Sequence, residues 1–327
     1  MRIHTAKKPI TRMRVGIAID VSTDISHEFL VQNGIYVLPS TIHMGDQSVV
    51  YDRDPERAVA FYRDHLADKG PASETTPLSV KEIEDLFLRR LVLDFDYIFL
   101  ITLTSARSLT FENAHKASFT ILQSYTQVRA AHRVPGPFAL RVVDSQSLFT
   151  GPGVLAWEAA RMVKAGHTPV EIRQRLDELA PRTYAYLVPH DLQYLLTRAT
   201  ARGDSTVGYF SYFLGNALQL RPIIRANRGT TRTVAKVRHH ARAVEWLFQH
   251  GAAQIRRGLL VPMVGISYGG DPEKLKAMPG YEALASMAAA HGVELMLSMM
   301  APATAVNIGS GAVSLAYCAR DGGDFEG

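Results

Sequence analysis

Cysteine is almost missing from this 327-residue chain, where Cys318 stands alone. No intramolecular disulfide can form, which argues against a small disulfide-stapled secreted fold. Long apolar runs are missing too. None approaches the roughly 20 residues that a membrane-crossing helix needs, and Val293–Met300 has only the length of a strand. No secretory apolar stretch opens the sequence, so the expected location is cytoplasmic. The Walker A and H-E-x-x-H signatures do not occur. Neither do internal repeats or low-complexity tracts. The histidines form one close pair, His239-His240. Adjacent residues on a strand or helix point apart, so no metal site and no cofactor is expected.

What is present is an ordinary folded composition, 47% hydrophobic and 20% charged, enough for a sizeable core. The length suggests two domains. Residues 1–13 are basic and aperiodic and read as a flexible leader. Val15–Ile19, Tyr97–Leu103 and Phe138–Val143 are mostly apolar runs with little alternation, as expected of strands buried in a parallel sheet. Helical stretches fall between them. Asp54-Pro55 opens Glu56–Leu66 with a cap and a first-turn proline. Ser79 with Glu82, and Thr168 with Glu171, form capping boxes. The pattern predicts an α/β fold, with a parallel doubly wound domain over 14–166. Strand candidates Tyr184–Pro189, Leu220–Ala226, Met263–Tyr268, Val293–Met300 and Ala312–Cys318 predict a mixed α/β (α+β) domain over 167–327.

The net charge is +5, and much of the excess gathers between Arg221 and Arg242. Such a run suits an anionic membrane, a phosphorylated ligand, an acidic partner or nucleic acid; a solvated basic face is the simpler reading. No nucleic-acid motif accompanies it, so nucleic acid is not expected as a partner. Two weak motif matches also have simpler readings. Gly151-Pro152-Gly153-Val154-Leu155-Ala156 fits G-x-G-x-x-A, but reads as a loop entering a helix. Gly265-Ile266-Ser267-Tyr268-Gly269 fits a nucleophile elbow, but reads as a strand end with turn glycines.

In doubly wound sheets ligands bind at the carboxyl ends of the strands. Here those ends carry Asp20, Ser22, Asp24, Thr104, Ser105, Asp144 and Ser145. Ser22, Thr75, Thr76, Ser105, Ser108 and Thr110 supply hydroxyls that can donate to an oxyanion without adding charge. Ser108 also precedes a predicted helix, Leu109–Ser118, whose first amides favour an anion. Each hydroxyl taken singly is more often a cap or turn former.

The order of several motifs resembles the DegV family of fatty-acid-binding proteins. The family's I-x-x-D-S-T-A-D resembles Ile17-Ala18-Ile19-Asp20-Val21-Ser22-Thr23-Asp24. Its T-S-Q-P-S is similar to Thr75-Thr76-Pro77-Leu78-Ser79, and its S-S-x-L-S-G-T to Thr104-Ser105-Ala106-Arg107-Ser108-Leu109-Thr110. V-V-D-S is intact at Val142-Val143-Asp144-Ser145, L-x-Y-L at Leu192-Gln193-Tyr194-Leu195, and K-V-R at Lys236-Val237-Arg238. The closing H-T-G-P-G resembles Asn307-Ile308-Gly309-Ser310-Gly311.

The resemblance implies a non-catalytic carrier that buries a long-chain fatty acid between and within its domains. It implies head-group contacts from Thr75 or Thr76 and from Ser105 or Ser108, with Asn307 and Gly309 nearby. It places Arg238 at the opening, facing a fatty-acid kinase subunit that phosphorylates the presented acid; transient contact with a membrane surface is a further expectation. The bound fatty acid is then the only ligand. A different class, a small-molecule phosphotransfer or acyl-transfer enzyme, would use the same hydroxyls but lacks a nucleophile with an evident base. Two departures matter. Asn307 replaces a histidine and cannot titrate, and Leu109 replaces a glycine, which disfavours a loop with positive φ there. Tyr125–Pro137 reads as an insertion.

Overall fold

A computed structural model describes residues 13–44, 47–64, 73–201, 220–323 and 325. The predicted apolar runs form β1 (Val15–Asp20), β6 (Tyr97–Thr102) and β7 (Ala139–Asp144). With the short β2 (Tyr36–Leu38) they make an all-parallel sheet of order β2-β1-β6-β7. Both faces are covered, which is why alternation is weak. Ile17, Ile19, Phe99 and Ile101 enter one core, while Ala18, Ile98 and Leu100 enter another. On the latter face, α3 (Val80–Leu86) runs through a π-helical turn, Phe87–Leu91, into α4 (Val92–Asp94), beside the long α5 (Thr110–Ala131). Much of Tyr125–Pro137 is therefore the end of α5. The two capping boxes form with both of their bonds, and Asp54 caps α2 (Pro55–Arg63).

The second sheet has the order β10-β9-β8-β13-β11-β12. Its strands are β8 (Thr183–Val188), β9 (Leu220–Asn227), β10 (Thr230–Arg238), β11 (Met263–Tyr268), β12 (Glu294–Met299) and β13 (Val313–Cys318). Only the β11–β12 pair is parallel. Tyr184, Tyr186 and Val188 face the helices His240–Arg257 and Tyr281–Ala290, whereas Ala185 and Leu187 face the first sheet. Between the sheets lies α6 (Gly151–Ala165), buried almost all round, which packs on β1 and β6 on one side and β8, β11 and β13 on the other. The boundary expected at 166/167 falls in the turn between α6 and α7 (Pro169–Leu179), and the core is continuous across it.

The segment between β2 and α3 departs most from expectation. Polar residues there form a separate antiparallel sheet, β4-β3-β5, from β3 (Ser40–Met44), β4 (Gln47–Tyr51) and β5 (Ser73–Pro77). Ile42 and Tyr51 anchor one face of it to Phe61 of α2 and to the shared core. Among the described residues no helix is long and apolar enough to cross a membrane.

Candidate functional site

β1 ends at Asp20, whose carboxylate accepts hydrogen bonds from the Ser22 amide (2.8 Å) and the Leu103 amide. The chain then reaches the second sheet. Asp24 accepts from Ser267 Oγ at 2.6 Å and from the Ala301 amide at 2.8 Å, while Thr304 Oγ1 donates to the Ser22 carbonyl at 2.9 Å. Arg53 donates to the carbonyls of Thr23 and Ile25. These two bonds hold a bulky residue at φ 70°, a strained value for a side chain of this size. Asp20 and Asp24 are both buried, and burial pushes each up to about 6 against the pull of these donors and of Arg53.

Both weak motifs are spent on this junction. Ser267 sits within β11 with its hydroxyl given to Asp24, so it is no exposed nucleophile. A Cβ on Gly153 would lie 2.8 Å from the Asp24 carbonyl, so close approach of α6 accounts for that glycine.

Helix Pro302–Ile308 follows the Ala301 contact and packs between β5 and α8 (Leu192–Ala201). Tyr194 of α8 donates to the Val306 carbonyl at 2.8 Å. Arg198, also on α8 and 3% exposed, donates to Asn307 Oδ1 at 3.1 Å. Asn307 Nδ2 donates to the Ala303 carbonyl at 3.0 Å. The amide predicted to meet a ligand is thus largely engaged within the protein. Gly309 ends the helix at φ 89°, and a Cβ there would stand 3.1 Å from the Tyr194 ring.

Strand alternation separates Thr75 from Thr76. Thr75 lies opposite Ile42, on the face that enters the shared core, and is half-buried. Thr76 lies opposite Thr41 on the outer face, where its Oγ1 meets His43 Nε2 at 3.1 Å; His43 Nδ1 meets Ser48 Oγ at 2.7 Å.

The two serines also divide. Ser105 is exposed and donates its hydroxyl to Asp144 at 2.6 Å, so its single donor is spent. Ser108 is half-buried at the start of α5, where it accepts from the Thr110 amide at 3.1 Å and pairs with Thr110 Oγ1 at 2.8 Å. Asn113 of α5 donates to the Leu78 carbonyl at 2.9 Å, tying the start of α5 to the end of β5. Ser108 and Thr75 lie five and three residues from the two ends of that bond.

Arg238 lies elsewhere. It closes β10, the sheet's edge strand, opposite Leu220. The other end of β10 is the Arg228-Gly229 turn, with φ of 51° and 73°. There Gly229 faces Thr104 and Ala106 closely enough that a Cβ would be 3.3 Å from Thr104 Oγ1. A nine-residue strand spans roughly 25 Å, and that length separates Arg238 from the turn against the Ser105 loop. Two surface cavities, of about 290 and 340 Å³, touch none of the expected ligand residues. No group of three or more His, Cys, Asp or Glu is placed to hold a metal among the described residues.

Residues 14–320 match the family of uncharacterised proteins named DegV. A DegV domain-containing protein of Xanthomonas axonopodis is 43% identical over 308 residues, covering 94% of this chain and 98% of the relative. This chain belongs to the DegV family. Among solved structures, a DegV lipid-binding protein from Thermotoga maritima superposes with a TM-score of 0.72 at 22% identity, covering 94% of this chain and 99% of its own. A stearic acid-binding protein from Eubacterium ventriosum gives 0.73 at 19%, covering 93% and 98%. The parallel sheet followed by a mixed sheet is the fold expected of DegV proteins.

One DegV departure has the backbone consequence expected of it. Leu109 adopts φ −74° and ψ −3°, so no positive-φ loop is required where the family carries glycine. Sequence reasoning missed Arg53, Arg198 and Thr304. A lone arginine or threonine carries no pattern that marks it, since its partners lie far away in the chain.

Proposed function

We propose that this chain binds a long-chain fatty acid non-covalently, with its head group held by the hydroxyls of Thr75 and Ser108 and its alkyl chain in the core shared by the two sheets. The observation that carries this reading is Thr75 on the core-facing side of β5, beside a continuous apolar interior, in a DegV protein. Hydroxyl donors satisfy a carboxylate that would otherwise be costly to desolvate. A chain of about fifteen buried methylenes gains on the order of 12 kcal/mol, against the cost of parting the core side chains. Names given to relatives, including a fatty acid-binding protein of Thermotoga maritima that is 24% identical over 257 residues, support the same class of ligand.

In this reading the protein is a non-catalytic carrier that hands the acid to a separate kinase. Exposed Arg238 at the open edge of the second sheet suits a protein partner. Exposed Leu109 and Phe119 suit passing contact with a membrane surface. Native mass spectrometry of gently purified protein should show one retained acyl chain. Thr75→Val should weaken binding by about 10- to 100-fold, the worth of one hydrogen bond to a charged group, while Thr76→Val leaves it unchanged. Protein that never retains a fatty acid overturns the reading.

One observation favours acyl transfer as a second reading. His43 provides Thr76 with a neighbouring base at 3.1 Å, with Ser48 on its other nitrogen. Turnover of an activated acyl ester by the chain alone, lost in Thr76→Val and in His43→Gln, would favour it over the carrier.

A further inference from the structure

A buried hydroxyl next to Thr75 has no partner. Ser40 opens β3, the middle strand of the small antiparallel sheet. It is 8% exposed, and its Oγ, cut off from solvent, makes no hydrogen bond among the described residues. The register fixes its surroundings. Ser40 lies opposite Tyr51 of β4 and Pro77 of β5, and Ile42, two residues further along β3, lies opposite Thr75. Alternation therefore puts Ser40, Ile42, Tyr51 and Thr75 on one face of the sheet, the face whose Ile42 and Tyr51 enter the shared core. Ser40 and Thr75 are diagonal neighbours on that face, with Cβ atoms about 7 Å apart. Two side-chain hydroxyls at that spacing are within reach of one ligand.

From this arrangement we infer that Ser40 is a further ligand-binding residue, and that the preferred ligand is a 3-hydroxy fatty acid. The inference rests on the proposed fatty-acid site, with the carboxylate at Thr75. A buried hydroxyl without a partner costs stability, and a ligand oxygen that pairs with it removes that cost. The two positions suit different oxygens. Thr75 is half-buried, so water shares in solvating a charged head group there. The Ser40 oxygen has no such help, and an ionised group beside it would be costly, whereas a neutral hydroxyl is not. A hydroxyl both donates and accepts, so it matches the serine in either sense. Its place on the acyl chain follows from the spacing of the two side chains. A hydroxyl on carbon 3 stays close to the carboxylate and reaches the diagonal neighbour of Thr75; one in mid-chain lies far past Ser40.

The test compares palmitic, 3-hydroxypalmitic and 12-hydroxystearic acids on the full chain, by displacement of a fluorescent fatty-acid probe. The wild type should bind 3-hydroxypalmitic acid about 5- to 30-fold more tightly than palmitic acid, and should show no such gain for 12-hydroxystearic acid. Ser40→Ala should abolish the preference by weakening the 3-hydroxy acid alone, with palmitic acid held as well as by the wild type. The variant deletes an unmatched group, so thermal unfolding should find it at least as stable as the wild type. A variant that unfolds or is clearly less stable shows a structural role for the hydroxyl and overturns the inference. So does a preference that survives Ser40→Ala, or an equal loss for both palmitic acids, which would assign Ser40 to the carboxylate itself. A wild type that binds the two palmitic acids equally refutes the role of Ser40 alone; one that binds no fatty acid refutes the fatty-acid reading as well.

Discussion

The junction at Asp24 permits a quantitative test through Asp24→Asn. The wild-type carboxyl is raised from 3.8 to about 6 by burial, which corresponds to about 3 kcal/mol of disfavour for the charged form. Below pH 4 the group is protonated in both the native and unfolded states and costs nothing. Between about pH 4 and 6 the native state binds more protons than the unfolded state, so stability falls as pH rises. Above pH 6 the full penalty is present. Asparagine keeps an oxygen for the Ala301 amide, and its NH2 can donate to Ser267 Oγ, without titrating. Urea unfolding, followed by the fluorescence of Trp157 and Trp246, should therefore show the variant gaining about 3 kcal/mol relative to wild type between pH 4 and 7. The difference between the proteins is the right quantity, because His240, lowered to about 4 by burial, makes stability rise with pH over much of the same range in both. Asp20, also raised to about 6, is likewise present in both. A difference that stays flat, or moves the other way, would mean that Arg53, Ser267 and the Ala301 amide hold Asp24 ionised at its ordinary value, refuting the burial argument.

Three further outcomes follow from the geometry. Gly153→Ala should destabilise the protein by about 1–3 kcal/mol, since its Cβ would meet the Asp24 carbonyl at 2.8 Å between two rigid backbones, and chemical denaturation would measure it. Leu109→Gly should lower stability by about 0.5–1 kcal/mol, because this position holds an ordinary helical conformation; a gain would show that the family's glycine relieves strain here. Ser105→Ala should cost about 1 kcal/mol through loss of the bond to Asp144 while leaving fatty-acid retention unchanged, as quantified by lipid extraction.

Local pattern read well wherever one residue type or one spacing carries the physics. Strands β1 and β6 are apolar on both faces because helices cover both, and the capping boxes at Ser79 and Thr168 close within one helical turn. The polar sheet β4-β3-β5 was not legible. His43, Ser48, Glu74 and Thr76 occupy its outer face and mask the apolar periodicity of Ile42 and Tyr51. The hydroxyl residues were visible as a set, but their roles were not.

The sequence by itself determined the α/β class, the apolar strands, the helix starts and the ordered motifs of a DegV protein. Only the tertiary structure decided which hydroxyls face the core and which are spent on other residues. Register on β5 turns Thr75 toward the core and Thr76 away from it; Asp144, distant in sequence, takes the hydroxyl of Ser105. It also placed Arg198 against Asn307, across 109 residues of chain. The physical reason is common to these cases. Strand alternation and helix caps act over a few bonds, whereas the direction and burial of a side chain depend on partners that the fold alone brings within reach.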